Sequence, residues 1–94
     1  MKSVVFTYGR FNPPHKGHRL MIEHVIETAR RMNKRPVVVV SHSFGNAKNP
    51  LPVENKVRIL RRWFPGVTIL TSAKDRSIAK IAQDFNKNSI MIVG

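Results

Sequence analysis

Ninety-four residues without a single cysteine suit one small domain that carries neither disulfides nor thiolate chemistry. Seventeen Lys and Arg against five Asp and Glu leave a net charge of +12, so the partners of this chain are expected to be anionic. No window reaches the length of a membrane-spanning apolar run, and the N-terminus reads directly into a strand rather than a signal peptide, which gives the expectation of a cytosolic protein with no membrane partner.

In chain order the apolar patterning predicts a strand over 3–8, a helix over 17–32, a strand over 36–41, a helix over 53–64, a strand over 67–71, a helix over 77–87 and a strand over 89–93. Strand and helix alternate throughout. Val37 to Val40 and Ile90 to Val93 are continuously apolar, as strands covered on both faces must be, and the expected fold is therefore α/β, a Rossmann-like parallel sheet with right-handed crossovers. In the first helix Met21, Val25, Ala29 and Met32 fall in line. The second carries Val53, Val57, Leu60 and Phe64 on one stripe and is closed by Pro65-Gly66. The third places Ile78, Ile81, Ala82 and Phe85 at i, i+3, i+4 and i+7, and is expected to pack on the sheet.

Between the first strand and the first helix lies the most informative stretch, Gly9-Arg10-Phe11-Asn12-Pro13-Pro14-His15-Lys16-Gly17-His18. Gly9, lacking a Cβ, is expected to turn the chain, and Pro13 and Pro14 delay the start of the helix. Gly17 and His18 then fall in the first helical turn, where unpaired N–H groups and the positive end of the helix dipole attract an anion. His15 and His18 would stand beside that anion. Each imidazole can donate a hydrogen bond to a phosphoryl oxygen, and a protonated ring would offset charge developing at phosphorus. Arg10 can hold the same anion through its planar fork.

The long loop from Ser41 to Pro52 leaves the carboxyl end of the second strand, the side on which open α/β sheets bind ligands. Ser43, Asn46 and Asn49 are its candidate hydrogen-bonding residues, and Lys48 its candidate phosphate partner.

Other chemistries find less support. Gly9, Gly17, Gly45, Gly66 and Gly94 do not form a dinucleotide-binding fingerprint, no Walker loop is present, and no Ser, Cys or Lys nucleophile can be assigned a base. A zinc site on His15, His18 and His42 would lack any carboxylate or cysteine in the motif, so no metal ligand is assigned. His24 and His42 read more simply as histidines without a role. The aromatics are not interleaved with basic residues as an RNA-binding sheet requires, so nucleic acid is a less favoured partner than nucleotides. Arg30-Arg31, Lys34-Arg35 and Arg58, Arg61, Arg62 lie on or beside helices and read equally well as a solvated basic face.

Gly9, Arg10, Phe11, Pro13, His15, Gly17 and His18 match a Gly-Arg-Phe-x-Pro-x-His-x-Gly-His loop, and with it the chain resembles the nucleotidyltransferase superfamily that carries the His-x-Gly-His motif. The likeness is closest to nicotinamide-nucleotide adenylyltransferases. Asn49-Pro50 followed by Lys56 agrees with a second, looser feature of that group. The resemblance implies adenylyl transfer from ATP to a phosphate-bearing acceptor, nicotinamide mononucleotide, with release of pyrophosphate. His18 would contact the α- or β-phosphate and His15 the more distal ones. The backbone of Tyr8, Gly9, Arg10, Phe11 and Asn12 would line the nucleotide, Gly94 would sit at the carboxyl edge of its strand, and Mg²⁺ would be held mainly by phosphate oxygens and water.

In the family a Ser/Thr-rich, Arg-containing segment that grips the triphosphate follows the last strand, so the chain reads as a single domain, 1–94, lacking that segment. Family members often assemble as homo-oligomers, which leaves that state open for this chain. Two alternatives remain beside adenylyl transfer. One is a cytidylyltransferase acting on a small phosphorylated alcohol, although its loop is usually closer to Gly-x-Phe-Asp than to Gly9-Arg10-Phe11-Asn12. The other is a basic module that binds nucleotides or nucleic acid without turnover.

Overall fold

A computed structural model describes residues 3–42, 51–72 and 78–93. Its elements are β1 (Val4–Gly9), α1 (Lys16–Arg31), β2 (Arg35–Val40), α2 (Val53–Trp63), β3 (Thr68–Thr71), α3 (Ile78–Gln83) and β4 (Ile90–Met91). The four strands form one parallel sheet in the order β3-β2-β1-β4. This is the Rossmann-like α/β architecture that the alternating pattern predicts.

The strand residues explain the layering. Alternate side chains of a strand point to opposite faces, and here both faces are apolar. Val5, Val38 and Val40 meet Ile22, Val25 and Ala29 of α1 and Leu60 of α2 on one face. Val4, Phe6, Val37 and Val39 meet Ile81 of α3 on the other. The chain steps from β1 to β2 to β3 in one direction and then returns past β1 to β4, so right-handed crossovers place α1 and α2 on one side and α3 on the other. That reversal puts the topological switch point at the carboxyl ends of β1 and β4, where such sheets leave a crevice. Because β1 and β2 are hydrogen-bonded neighbours, the chain leaving each of them starts from the same edge.

The boundaries depart from the pattern in informative places. Gly9 does not turn the chain: it is the last residue of β1, paired with Val40, and the positive φ of 49° falls on Phe11. A Cβ on Gly9 would stand 3.0 Å from Cε2 of the Phe11 ring, so the glycine makes room for the aromatic ring. Phe11 is fully buried, and its packing among Ile22, Val38, Val40 and Leu60 offsets a backbone conformation that disfavours a side chain.

In α1 the buried stripe is Ile22, Val25 and Ala29, while Met32, at the C-cap, is 46% exposed. The helix α3 ends at Gln83, four residues before the predicted end, yet Phe85 still packs on Phe6 with ring centroids 4.9 Å apart. Among the described residues no helix is long and apolar enough to cross a membrane.

Candidate functional site

The loop that leaves β1 reaches α1 through a histidine. His15 is the N-cap, with extended backbone (φ −142°, ψ −179°), and its Nδ1 accepts the Gly17 N–H at 3.0 Å. The His15 N–H in turn donates to His18 Nδ1 at 3.1 Å, so the two side chains cap the helix reciprocally, as Ser and Glu do in a capping box. Their rings stack, with centroids 3.7 Å apart and planes 24° from parallel. Phe11 supports the pair from below, its ring centroid 4.6 Å from that of His18.

The geometry sets the protonation of both rings. An Nδ1 that accepts a backbone N–H carries no proton, so in each neutral imidazole the proton resides on Nε2. Nε2–H is then the donor of each neutral ring. Burial, and secondarily the neighbouring His15, lower the pKa of His18 below its usual value, so it is neutral near pH 7. Gly17 is required for this arrangement, because a Cβ there would lie 3.0 Å from Cε1 and 3.2 Å from Nδ1 of His15. One part of the sequence expectation is corrected: the Gly17 N–H faces the His15 ring, so the first-turn donors are not all directed at an anion.

These residues line a cleft of about 400 Å³ with Tyr8, Gly9, His15, Gly17, His18 and Met21 around it, within the size range of small-ligand sites. Four of them, Gly9, His15, Gly17 and His18, belong to the motif, and Tyr8 directly precedes it. Met21, which sequence reasoning placed only in the core stripe of α1, joins them because it lies one helical turn beyond His18; its Sδ also accepts a weak bond from Thr7 Oγ1 at 3.5 Å. Arg10 is exposed in the loop. The side chains of Phe11 and Asn12 serve the fold, whereas the expectation for these residues concerns their backbone. The Phe11 ring is wholly interior, and the Asn12 amide clamps Leu51, with Nδ2 donating to its carbonyl at 2.9 Å and Oδ1 accepting its N–H at 2.6 Å. Lys48 and Gly94, with Ser43, Gly45, Asn46 and Asn49, lie outside the described residues.

A second group of polar contacts braces the same edge of the sheet. Ser41, just past β2, donates its N–H to Gly9 O at 2.8 Å and accepts a hydrogen bond from Lys56 Nζ at 2.8 Å. The Ser72 N–H bonds Val40 O at 2.9 Å, and Ser72 Oγ receives the His42 N–H at 3.3 Å. Lys56, which the sequence marks only as the basic residue following Asn49-Pro50, is fully buried, and burial lowers its pKa. A larger hollow of about 530 Å³ runs along Val53, Glu54, Val57, Arg58 and Arg61 of α2 to Thr71 of β3, and shares no residue with the histidine cleft.

Among the described residues no three His, Asp or Glu side chains gather as metal ligands, and the residues around the cleft include no carboxylate. The arrangement is suited to gripping a polyphosphate through neutral donors and backbone, with charge stabilisation rather than covalent chemistry.

A search among curated proteins finds no match. The family described as cytidylyltransferase-like matches residues 6–94, a span that includes all of α1 to β4 and the whole of the histidine cleft. Such membership carries nucleotidyl transfer as the general activity, and on this ground the chain belongs to the cytidylyltransferase-like family.

Proposed function

We propose that the protein transfers an adenylyl group from ATP to the phosphate of a mononucleotide, with nicotinamide mononucleotide as the acceptor. The observation that carries this reading is the reciprocal His15/His18 pair, which presents two Nε2–H donors at a cleft on the carboxyl edge of β1. An acceptor phosphate oxygen attacks the α-phosphorus, the bond from that phosphorus to the bridging oxygen breaks, and pyrophosphate leaves with the electron pair. His18 Nε2–H bonds the α- or β-phosphate and His15 Nε2–H a more distal one. Neither ring becomes covalently attached. As negative charge concentrates on the phosphoryl oxygens, both donors are already in place and need no reorganisation. Arg10, exposed in the same loop, supplies a positive planar fork for the outer phosphates. The magnesium ion enters as part of the MgATP substrate, held mainly by phosphate oxygens and water.

The choice of adenylyl over cytidylyl transfer rests on the Gly9-Arg10-Phe11-Asn12 loop. Asn12 both donates to and accepts from Leu51, a job for an amide that an aspartate at this position would not do. The family match by itself is equally compatible with CTP.

Calorimetric titration with MgATP, MgCTP and nicotinamide mononucleotide, on the protein and on His18→Ala, tests the reading. ATP binding that is tighter than CTP binding and weakened at least about tenfold in the variant supports it. Preferential CTP binding transfers the reading to cytidylyl chemistry. Nucleotide binding that is indifferent to His18 removes the site assignment.

A further inference from the structure

Lys56 is the one charged side chain in the interior among the described residues, and its place is costly twice over. An ammonium group taken out of water requires hydrogen bonds to offset the loss of solvation, and an apolar residue of similar volume would fill the same space without that cost. As the fourth residue of α2, Lys56 also sits in the first turn of a helix, where the dipole disfavours a cation. Core packing alone therefore does not account for a lysine here.

Its hydrogen bond does. Lys56 Nζ donates to Ser41 O at 2.8 Å; the N–H of the same Ser41 donates to Gly9 O at 2.8 Å; and Gly9 lines the histidine cleft, in contact through its missing Cβ with the Phe11 ring on which His18 rests. The carboxyl ends of β1 and β2 and the first turn of α2 are thus joined through one residue, Ser41. Asn12 closes a parallel link from the same loop to Leu51, two residues before α2. Both links run from the start of α2 to the loop that carries the histidines. A cation held in a low-dielectric interior at this edge also adds to the positive potential that an incoming phosphate group meets.

We infer that Lys56 is a positioning residue of the nucleotide cleft: through Ser41 and Gly9 it holds the phosphate-facing loop at its working height and contributes its charge to polyphosphate binding. The binding part of this inference rests on the function proposed above; the holding part does not.

The test compares the protein with Lys56→Met, which keeps the apolar stem, and Lys56→Arg, which keeps the charge. Two readouts are taken: amide hydrogen exchange at Ser41 and across residues 9–12, with Val38 in mid-strand as the reference, and the affinity for MgATP and for inorganic pyrophosphate. Lys56→Met is expected to speed exchange at Ser41 and in the loop at least about tenfold while leaving Val38 unchanged, and to weaken both ligands about tenfold. Lys56→Arg is expected to restore most of the affinity. If Lys56 only fills space, methionine equals or improves on the natural residue in both readouts, and the inference is overturned. Should the parent protein bind neither ligand, the proposed function fails, and the exchange contrast alone decides the holding role: local acceleration upholds it, unchanged exchange overturns it. If Lys56→Met does not fold, Lys56→Gln, a donor without charge, takes its place: both ligands are expected to weaken while exchange at Ser41 stays near that of the parent, and unchanged affinity overturns the inference.

Discussion

Helices α1 and α2 both begin at the carboxyl edge of the sheet, and they are secured in opposite ways. In α1 the capping groups are the imidazoles of His15 and His18, which satisfy backbone donors with Nδ1 and leave Nε2 for a ligand. Opening on Pro52, α2 has no side-chain cap, and is tied inward by Lys56 to Ser41 and by the Leu51 backbone to Asn12. One helix start displays its polar groups and the other buries them. The difference shows how a small sheet can make a rigid site from a loop: the exposed pair needs fixed geometry to be useful, and the neighbouring helix supplies it from behind.

The comparison can be broken most forcefully at Phe11, on which the displayed pair rests. Phe11→Ala removes a wholly buried ring and is expected to cost about 3–5 kcal/mol in a denaturant melt, a large part of a small domain's stability. His18→Ala is expected to lower pyrophosphate release about a hundredfold or more while costing only about 1 kcal/mol of stability, since it removes a preorganised donor and half of a cap. A stability loss as large as that of Phe11→Ala would mean that His18 serves the fold rather than the ligand.

Smaller changes sharpen the contrast. Asn12→Asp places two acceptors against the Leu51 carbonyl and is expected to cost about 1–3 kcal/mol by thermal melt, whereas His15→Asn, which retains a capping oxygen, should stay within about 1 kcal/mol of the parent. The pH dependence is smallest. The folded-state pKa of His18 lies below its unfolded value near 6.5, so the unfolded chain binds more protons and stability rises with pH through that region. Stability should therefore fall as pH drops below about 6.5, because a doubly protonated ring also loses the Nδ1 acceptor. In His18→Ala this part of the slope should vanish.

The alternation of elements and the parallel sheet they build are legible in the sequence because they follow from local periodicity and from the chirality of crossovers. The motif likewise carries its own context: Tyr8, Gly9, His15, Gly17 and His18 do converge on one cleft. What the pattern missed depends on contacts between distant segments. Glycine is the usual carrier of positive φ, which makes Gly9 the expected turn residue, yet that conformation falls on Phe11, whose burial against α1 and α2 has no signature in the loop itself. His15 is an unusual N-cap, so its reciprocal bond with His18 could not be anticipated from cap preferences that favour Ser, Thr, Asp and Asn. Lys56 stands out in the sequence only as the basic residue after Asn49-Pro50, and its interior place depends on the distant Ser41 carbonyl. The short α3 escaped because Ile78, Ile81, Ala82 and Phe85 keep helical spacing although the last of them lies past the helix end.

The central claim is that the His15/His18 pair grips a nucleotide polyphosphate through its two Nε2–H groups. Long-range ¹H–¹⁵N spectra of the histidine rings during a MgATP titration address it directly, with the exposed His24 of α1 as the internal control. The account predicts free rings protonated on Nε2, and saturable shifts of both His15 and His18 on addition of MgATP while His24 stays in place. Rings protonated on Nδ1, or MgATP that binds without moving either signal, would contradict it.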